Sequence, residues 1–553
     1  MRIAPIHLSA RQESFLHAAA RKTWRYFEEF VTAQTHWLPP DNVQYNGQQM
    51  IAARTSPTNI VMGLLANLAA SDFGYCSVGR LITRTQLAFD TLAKMERHRG
   101  HLLNWYDTST LSPLAPQYVS TVDSGNFVGM LPVLQRGFEE LIDTEIVPRR
   151  MLPAFGDTIG ILRSEARTDS EAALVDSLQQ ALATIEAWDG SVSAILTFLP
   201  RLITLASHLK TAPQAGSEFC WWAVAIETDA TAHLQDLEHL AGWTALPLPP
   251  DHLWLEASPG EDSAANRLRN ALADLDSHPT LRTVFDLPAT LLPLVALARL
   301  ACSGSAEQIT SAQEWLDRLQ AAAETSAHHA AVRHNALIRL AATCSTLADV
   351  DFQFLYDTQR RLFTIGFNVT ENRPDSGFYD LLASEARLAS FVLIAKQQLE
   401  QSHWFALGRL LTSTGGAPTL LSWSGSMFEY LMPLLVMPTY DDTLLDRSCR
   451  AAVRRHITYG WRRAVPWGIS ESGYNARDKE MNYQYRAFGV PGLGLKRGLA
   501  GDLVIAPYAS AMALMLEPQA ACRNLQRLAA EGRLGTCGFY EAIDYTPSRQ
   551  IPA

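Results

Sequence analysis

The stretch Gly377-Phe-Tyr-Asp-Leu-Leu-Ala-Ser-Glu-Ala-Arg-Leu-Ala-Ser-Phe-Val-Leu-Ile-Ala-Lys-Gln-Gln398 carries both the fold and the chemistry of this chain. Leu381, Leu382, Leu388, Val392 and Ala395 recur at helical spacing and define one inward stripe, which predicts a helix over 377–398. Glu385 falls on that stripe, three or four residues from Leu381, Leu382, Leu388 and Ala389. A glutamate so placed is desolvated or faces a cavity, and burial raises the carboxyl pKa, as a general acid near neutral pH requires. A core salt bridge, with Arg387 or another arginine as partner, is the competing reading. Both stand on this stretch alone.

Outward from it, the same period dominates. Phe15, Leu16, Ala19, Ala20, Thr23, Phe27, Phe30 and Val31 make one apolar helical face. Ser56 before Pro57 fits an N-cap followed by proline at the first helical position, opening a helix through Ala70. Segments Ser170–Ala187 and Ala264–Leu275 read as amphipathic helices. Long alternating strands are scarce, and strands do not alternate with helices, so a doubly wound sheet is excluded. The fold class is mostly α. Texture divides the chain at about 1–150, 151–345 and 346–553. The middle part is rich in Ala, Leu, Glu and Gln and reads as a helical insert or linker bundle; Gly, Trp, Tyr and Asn return after it.

Of 553 residues, 47% are hydrophobic and 18% charged, enough apolar material for a sizeable core. With 46 Lys+Arg against 56 Asp+Glu the net charge is −10, which argues against a nucleic-acid partner and suits a neutral substrate. The seven cysteines form no C-x-x-C pair and read as reduced, structural thiols. Met1-Arg-Ile-Ala-Pro-Ile-His7 lacks the apolar core of a signal peptide, and no uncharged apolar run approaches membrane-spanning length; a cytoplasmic, uninserted protein is the expectation. The phosphate-loop, H-E-x-x-H and G-x-S-x-G signatures are absent. Gly489, Gly492, Gly494 and Gly498 miss dinucleotide spacing, and His328, His329 and His334 lack a partner in metal spacing, so neither metal nor cofactor is expected.

Further carboxylates lie among aromatics. Glu429 is embedded in Ser426-Met-Phe-Glu-Tyr-Leu-Met-Pro433, where a capping carboxylate is the slightly favoured reading. Glu471 sits in the loop Trp467-Gly-Ile-Ser-Glu-Ser-Gly-Tyr-Asn475, between aromatic faces of the kind that stack on sugar rings. His101-Leu-Leu-Asn-Trp-Tyr-Asp107, Ser120-Thr-Val-Asp-Ser-Gly-Asn126 and Gly538-Phe-Tyr-Glu-Ala-Ile-Asp544 have the same composition. Together they point to a carbohydrate cleft.

Arg54-Thr-Ser-Pro-Thr-Asn-Ile60, Leu103-Asn-Trp-Tyr-Asp-Thr108, Tyr118-Val-Ser-Thr-Val-Asp-Ser-Gly-Asn126, Trp423-Ser-Gly-Ser-Met-Phe-Glu-Tyr-Leu-Met-Pro433, Pro466-Trp-Gly-Ile-Ser-Glu-Ser472 and Phe539-Tyr-Glu-Ala-Ile-Asp-Tyr545 resemble the glucoamylase-like middle region of cyclic β-1,2-glucan synthases. More distantly the chain resembles endo-β-1,2-glucanases. The resemblance implies an (α/α)₆ barrel made by the first and third regions, with the second inserted, and β-1,2-glucan as substrate. It implies retaining transglycosylation: a linear glucan is cleaved, and its own non-reducing end attacks the glycosyl-enzyme to close a ring. In the large synthases this region lies beside a membrane-embedded glycosyltransferase, so other synthase regions at the inner face of the inner membrane are the implied partners. Hydrolysis as an endo-β-1,2-glucanase and glucan binding without catalysis are the alternative activities. The family continues into a helix bearing a Tyr-Met-Ala-His-His-Gln-Gly-like motif that has no counterpart before Ala553, which implies a barrel incomplete at its C-terminus.

The resemblance favours Glu385 and Glu471 as the reacting pair of a retaining mechanism. Helix burial points to Glu385 as acid/base and the polar loop to an ionised Glu471 as nucleophile, with the exchanged assignment left open. Asp123, Trp105, Arg387, Trp423, Glu429, Tyr430, Trp467, Tyr474 and Glu541 are assigned to substrate binding.

Overall fold

A computed structural model describes residues 8–45, 48–185, 188–211, 217–254, 263–414, 416–479 and 482–550. The N-terminal heptapeptide and Ala187 lie outside them. Among the described residues helices dominate, and no sheet exceeds three strands. The chain divides into two compact units, one of Met1–Leu64, Asp90–Val133 and Thr346–Ala553, the other of Leu65–Phe89 and Leu134–Ser345. Residues 65–89 and 134–150, read from the sequence as part of the barrel, therefore group with the middle region.

The first unit combines helices with short antiparallel pairs. Ser9 opens Ala10–Phe30 through a reciprocal box: its hydroxyl accepts from the Gln12 N–H, and the Gln12 side chain accepts from the Ser9 N–H. Ser56 accepts from the Asn59 N–H at 3.2 Å ahead of Pro57, the first residue of Pro57–Asp72. Strand Tyr118–Ser120 pairs with Gly366–Asn368 and runs straight into helix Thr121–Leu141. The Thr121 hydroxyl donates to the Thr364 carbonyl at 2.7 Å and pins that junction.

One helix expected from the sequence is much shorter. Phe378–Tyr379 is a strand against Leu362–Thr364, residues 380–386 turn, and the helix spans only Arg387–Ala395. The cause is a competing backbone partner: Gly408 N–H donates to the Asp380 carbonyl at 2.6 Å, and Leu382 N–H donates to the Gly408 carbonyl at 3.0 Å. Leu381, Leu382 and Leu388 are buried as expected, but Leu393 takes the inward place and Ala395 is exposed. Glu385 thus sits in a turn, two residues ahead of the helix.

That helix lies close against Thr121–Leu141 because glycines face it. A Cβ on Gly125 would meet the Ala389 Cβ at 2.4 Å, and one on Gly129 would meet Leu388 at 2.8 Å. The i, i+4 glycines open a slot in which the chain carrying Glu385 approaches the turn carrying Asp123.

The second unit is a helical assembly that includes Met151–Glu165, Asp169–Ala183, Val192–Thr211, Glu218–Leu240, Ala264–Asp276 and the 42-residue Ala306–Leu347. The window Val192–Leu209 is, by length and composition, apolar enough to cross a bilayer, with a mean hydropathy of 1.5, although Arg201 interrupts its uncharged run. Within this unit Val192, Ile195, Leu199, Leu202, Ala206 and Leu209 are fully buried, while Pro200 and Arg201 are exposed. This is the one-sided burial of a core helix.

Candidate active site

Asp123 occupies the first turn of Thr121–Leu141, where its N–H donates to the Ser120 hydroxyl at 3.1 Å. Thr58 donates to its Oδ1 at 2.6 Å, and Asn126 in turn donates to Thr58 at 3.2 Å. With the Asn104 amide oriented to satisfy both its neighbours, its NH₂ donates to Asp123 Oδ2 at 2.9 Å and its oxygen accepts from Trp105 Nε1 at 3.1 Å. The Arg54 guanidinium lies 4.9 Å above the Trp105 ring and donates to Asp41 at 2.9 Å. Trp105 is therefore joined to Asp123 through one amide.

The Glu385 turn is locked from beneath. Arg387 is buried, and its guanidinium donates to the carbonyls of Ser384 at 2.9 Å, Glu429 at 2.7 Å and Tyr430 at 2.5 Å. This ties the turn to helix Met427–Leu431. Ser384 donates to Glu385 Oε2 at 3.2 Å.

Glu471 stands at the mouth of strand Ser472–Arg477. Gly468, at φ +113°, makes the bend leading to it, in a region that side chains resist. Tyr508 donates to the Glu471 carbonyl at 2.7 Å. Among the described residues no donor meets the Glu471 carboxylate, and the residue is partly exposed, so that group is left to the cleft.

Electrostatics draw these acids into one set. Burial pushes Glu385 up to about 7, the Glu429 carboxylate adds to this, and the Ser384 hydroxyl and Arg387 oppose it. Burial pushes Glu471 up to about 8, reinforced by the charges of Glu385, Glu429 and Asp123. Asp123 is also raised by burial, against the hydrogen bonds of Thr58 and Ser120. The reading that a polar loop keeps Glu471 ionised is therefore corrected. Both glutamates bind a proton more tightly than a free glutamate does.

These raised values bear on stability. A glutamate whose ordinary value is 4.5 binds its proton more tightly here in the folded chain than in the unfolded one. Its stabilising contribution is complete below that value and is lost as pH rises through about 7 for Glu385 and about 8 for Glu471. Between roughly pH 5 and pH 9 the melting temperature of Glu471→Gln should fall less than that of the parent, by on the order of a degree or two. Parallel melting curves across that range, followed by scanning fluorimetry, would contradict the burial of Glu471.

The remaining expected residues divide by what they touch. Glu429 caps its own helix: it accepts from the Ser422 hydroxyl at 2.9 Å, the Ser424 hydroxyl at 2.7 Å and the Ser426 N–H at 2.9 Å. The buried Tyr430 donates to the Leu420 carbonyl at 2.7 Å. Glu429, Tyr430 and Arg387, expected at the substrate, thus spend their polar atoms on the protein. Trp467 is also buried, its N–H donating to Asn524 at 3.1 Å. Trp423, by contrast, is 61% exposed. Tyr474 meets Phe488 edge-on at 5.4 Å and has Arg549 over its ring at 5.0 Å. Glu541 accepts from the Gly473 N–H at 2.8 Å, and burial raises its proton affinity, with Asp41 adding to it.

Sequence reasoning missed three tyrosines. Tyr379, whose phenol is raised first by burial and then by Glu385, Asp123, Tyr118 and Glu471, sits among the acids. Tyr508 is raised by burial and then by Glu471. Tyr118 donates to Asp375 beside them. Tyr379 lay inside the stretch quoted first, but a helical reading gave it no particular place. Tyr508 follows Ala506-Pro507 with no signal beyond a helix start.

Residues 377–551 match the Glycoamylase family, a glucoamylase family. Across 550 residues, 96% of its length, the chain is 36% identical to the cyclic β-(1,2)-glucan synthase NdvB of Rhizobium meliloti. The C-terminal third of the chain, residues 377–551, is glycoamylase-like. The glycoamylase-like segment contains Glu385, Glu429, Glu471 and Glu541, whereas Asp123 lies outside it. The chain spans 16% of the length of that synthase. An endo-β-1,2-glucanase from Talaromyces funiculosus, solved with sophorose, superposes with a TM-score of 0.50 over 97% of this chain and 80% of its own, at 9% identity. That likeness concerns the fold alone, and the mostly helical barrel class read from the motifs stands.

Proposed function

We propose that the chain cleaves linear β-1,2-glucan and rejoins it as cyclic β-1,2-glucan with retention at the anomeric carbon. The observation that carries this reading is the pair of buried carboxyls with raised proton affinity, Glu385 and Glu471, the latter raised in part by the charges of Glu385, Glu429 and Asp123. Two carboxyls in a desolvated site are the equipment of glycoside transfer. The 36% identity to a cyclic β-(1,2)-glucan synthase supports the choice of glucan.

Glu471 acts as nucleophile, because among the described residues no donor meets its carboxylate oxygens. Glu385 acts as acid/base, its turn held by Arg387. Glu385 protonates the departing glycosidic oxygen while a Glu471 oxygen bonds to the anomeric carbon. Glu385 then takes the proton of the 2-hydroxyl at the chain's own non-reducing end, which attacks that carbon and releases Glu471. Substrate binding must leave the proton on Glu385 and ionise Glu471, since burial favours protonation of Glu471 at least as much. Trp423, Trp105 and Tyr474 offer ring faces to the glucan, Asp123 and Glu541 accept its hydroxyls, and Arg387, Glu429, Tyr430 and Trp467 hold the frame. Other regions of a membrane-bound synthase at the cytoplasmic face are the proposed partners.

Incubation with linear β-1,2-glucan followed by mass spectrometry tests this. Cyclic products, lighter by one water than linear chains of equal length, are expected. Shorter linear chains alone would replace the reading with endo-β-1,2-glucanase activity, and binding without any product would end it.

A further inference from the structure

With no donor on its carboxylate among the described residues, Glu471 takes its direction from the backbone beneath it. That backbone is held residue by residue. The Trp467 carbonyl accepts from Asn524 at 2.8 Å and from Ser510 at 3.0 Å. The Gly468 carbonyl accepts from the Ala506 N–H at 2.8 Å. Ile469 N–H donates to His456 Nδ1 at 3.3 Å, and its carbonyl accepts from the Met427 N–H at 3.1 Å.

The last tie is Tyr508, at the start of helix Pro507–Met512. Its hydroxyl lies 2.7 Å from the Glu471 carbonyl and 2.8 Å from Ser470 Oγ, which accepts from the Phe428 N–H at 3.1 Å. One phenolic proton serves one bond at a time. The Ser470 hydroxyl can supply the proton between the two oxygens, so Tyr508 is free to donate to Glu471. Serine, tyrosine and carbonyl then form a continuous chain from the Met427–Leu431 helix to the residue that bears the carboxylate. The other ties act upstream of Glu471; Tyr508 alone among them grips Glu471 itself.

We propose that Tyr508 is a positioning residue that fixes the direction of the Glu471 carboxylate through its bond to the Glu471 carbonyl. This rests on Glu471 being one of the reacting pair. A carboxylate displaced by about 1 Å from its reacting position loses on the order of 10²-fold in rate.

Tyr508→Phe tests it, because the ring that meets Phe428 edge-on at 6.4 Å is kept while the hydroxyl is lost. On linear β-1,2-glucan kcat should fall about 10- to 100-fold with KM within about twofold. The pH limb governed by Glu471 should shift, since a displaced carboxylate stands at a changed distance from the charges of Glu385, Glu429 and Asp123 that act on it. Tyr508→His, which restores a ring donor, should recover part of the loss. Crystal structures of the parent and Tyr508→Phe chains at one pH give a readout independent of turnover, and the Glu471 carboxylate should be displaced by about 1 Å. An unmoved carboxylate overturns the proposal, as does an unshifted limb in an active chain. A parent chain inactive on this glucan would refute the proposed function, while the displaced carboxylate would still uphold the positioning role.

Discussion

Glu385→Gln and Glu471→Gln should each lower turnover of linear β-1,2-glucan by about 10³- to 10⁴-fold. The amide keeps the size of the side chain but can neither ionise nor move a proton, so the loss reports chemistry rather than packing. The two positions should then part company. Azide can fill the place of the nucleophile where Glu471→Ala vacates it, and Glu385 remains as acid for the β-linked glucan; a glycosyl azide of α configuration is therefore expected in that variant. In Glu385→Gln the nucleophile survives, so azide should intercept the glycosyl-enzyme and give the β product. Azide products of the opposite pattern would exchange the two roles. Activity within about tenfold of the parent in both glutamine variants would remove the pair from the mechanism altogether.

The second large effect is on stability. Arg387→Ala removes a buried guanidinium that three carbonyls, those of Ser384, Glu429 and Tyr430, depend upon. A buried polar group left without its partner costs about 1–3 kcal/mol, so a loss of about 3–5 kcal/mol is expected in chemical denaturation. The turn bearing Glu385 loses its tie to Met427–Leu431 at the same time, so activity should fall further than the unfolded fraction explains. Arg387→Lys, with charge but no planar fork, should fall between the two. A denaturation midpoint unchanged in Arg387→Ala would show that these bonds do not support the turn.

Much of this site could be read before any coordinates. Ser9 and Ser56 announce their helices through local chemistry, since an N-cap needs only residues three or four places on. The aromatic settings of Glu471 and Asp123 also stand in short contiguous motifs. Glu385 stands out for its apolar neighbours, although the helix begins two residues after it, at Arg387. The pattern of Leu381, Leu382 and Leu388 records burial correctly, yet turn and helix can bury the same leucines. Gly408, 23 places beyond Glu385 in the sequence, decides between them by taking the backbone bonds of Asp380 and Leu382.

What the sequence by itself determined is the local and the chemical: mostly helical structure, the identity of the carboxylates, and aromatic motifs that resemble those of glucan synthases. Those depend on side-chain type and on neighbours within a few residues. Only the tertiary structure decided that the charges of Glu385, Glu429 and Asp123 reach Glu471, and that the polar atoms of Arg387, Glu429 and Tyr430 serve the frame. A charge raises a neighbour's proton affinity according to distance and burial, and neither is written in the order of residues. The bare Cα of Gly125 matters only because Ala389 stands opposite, and the hydroxyl of Tyr508 only because the Glu471 carbonyl lies 2.7 Å away.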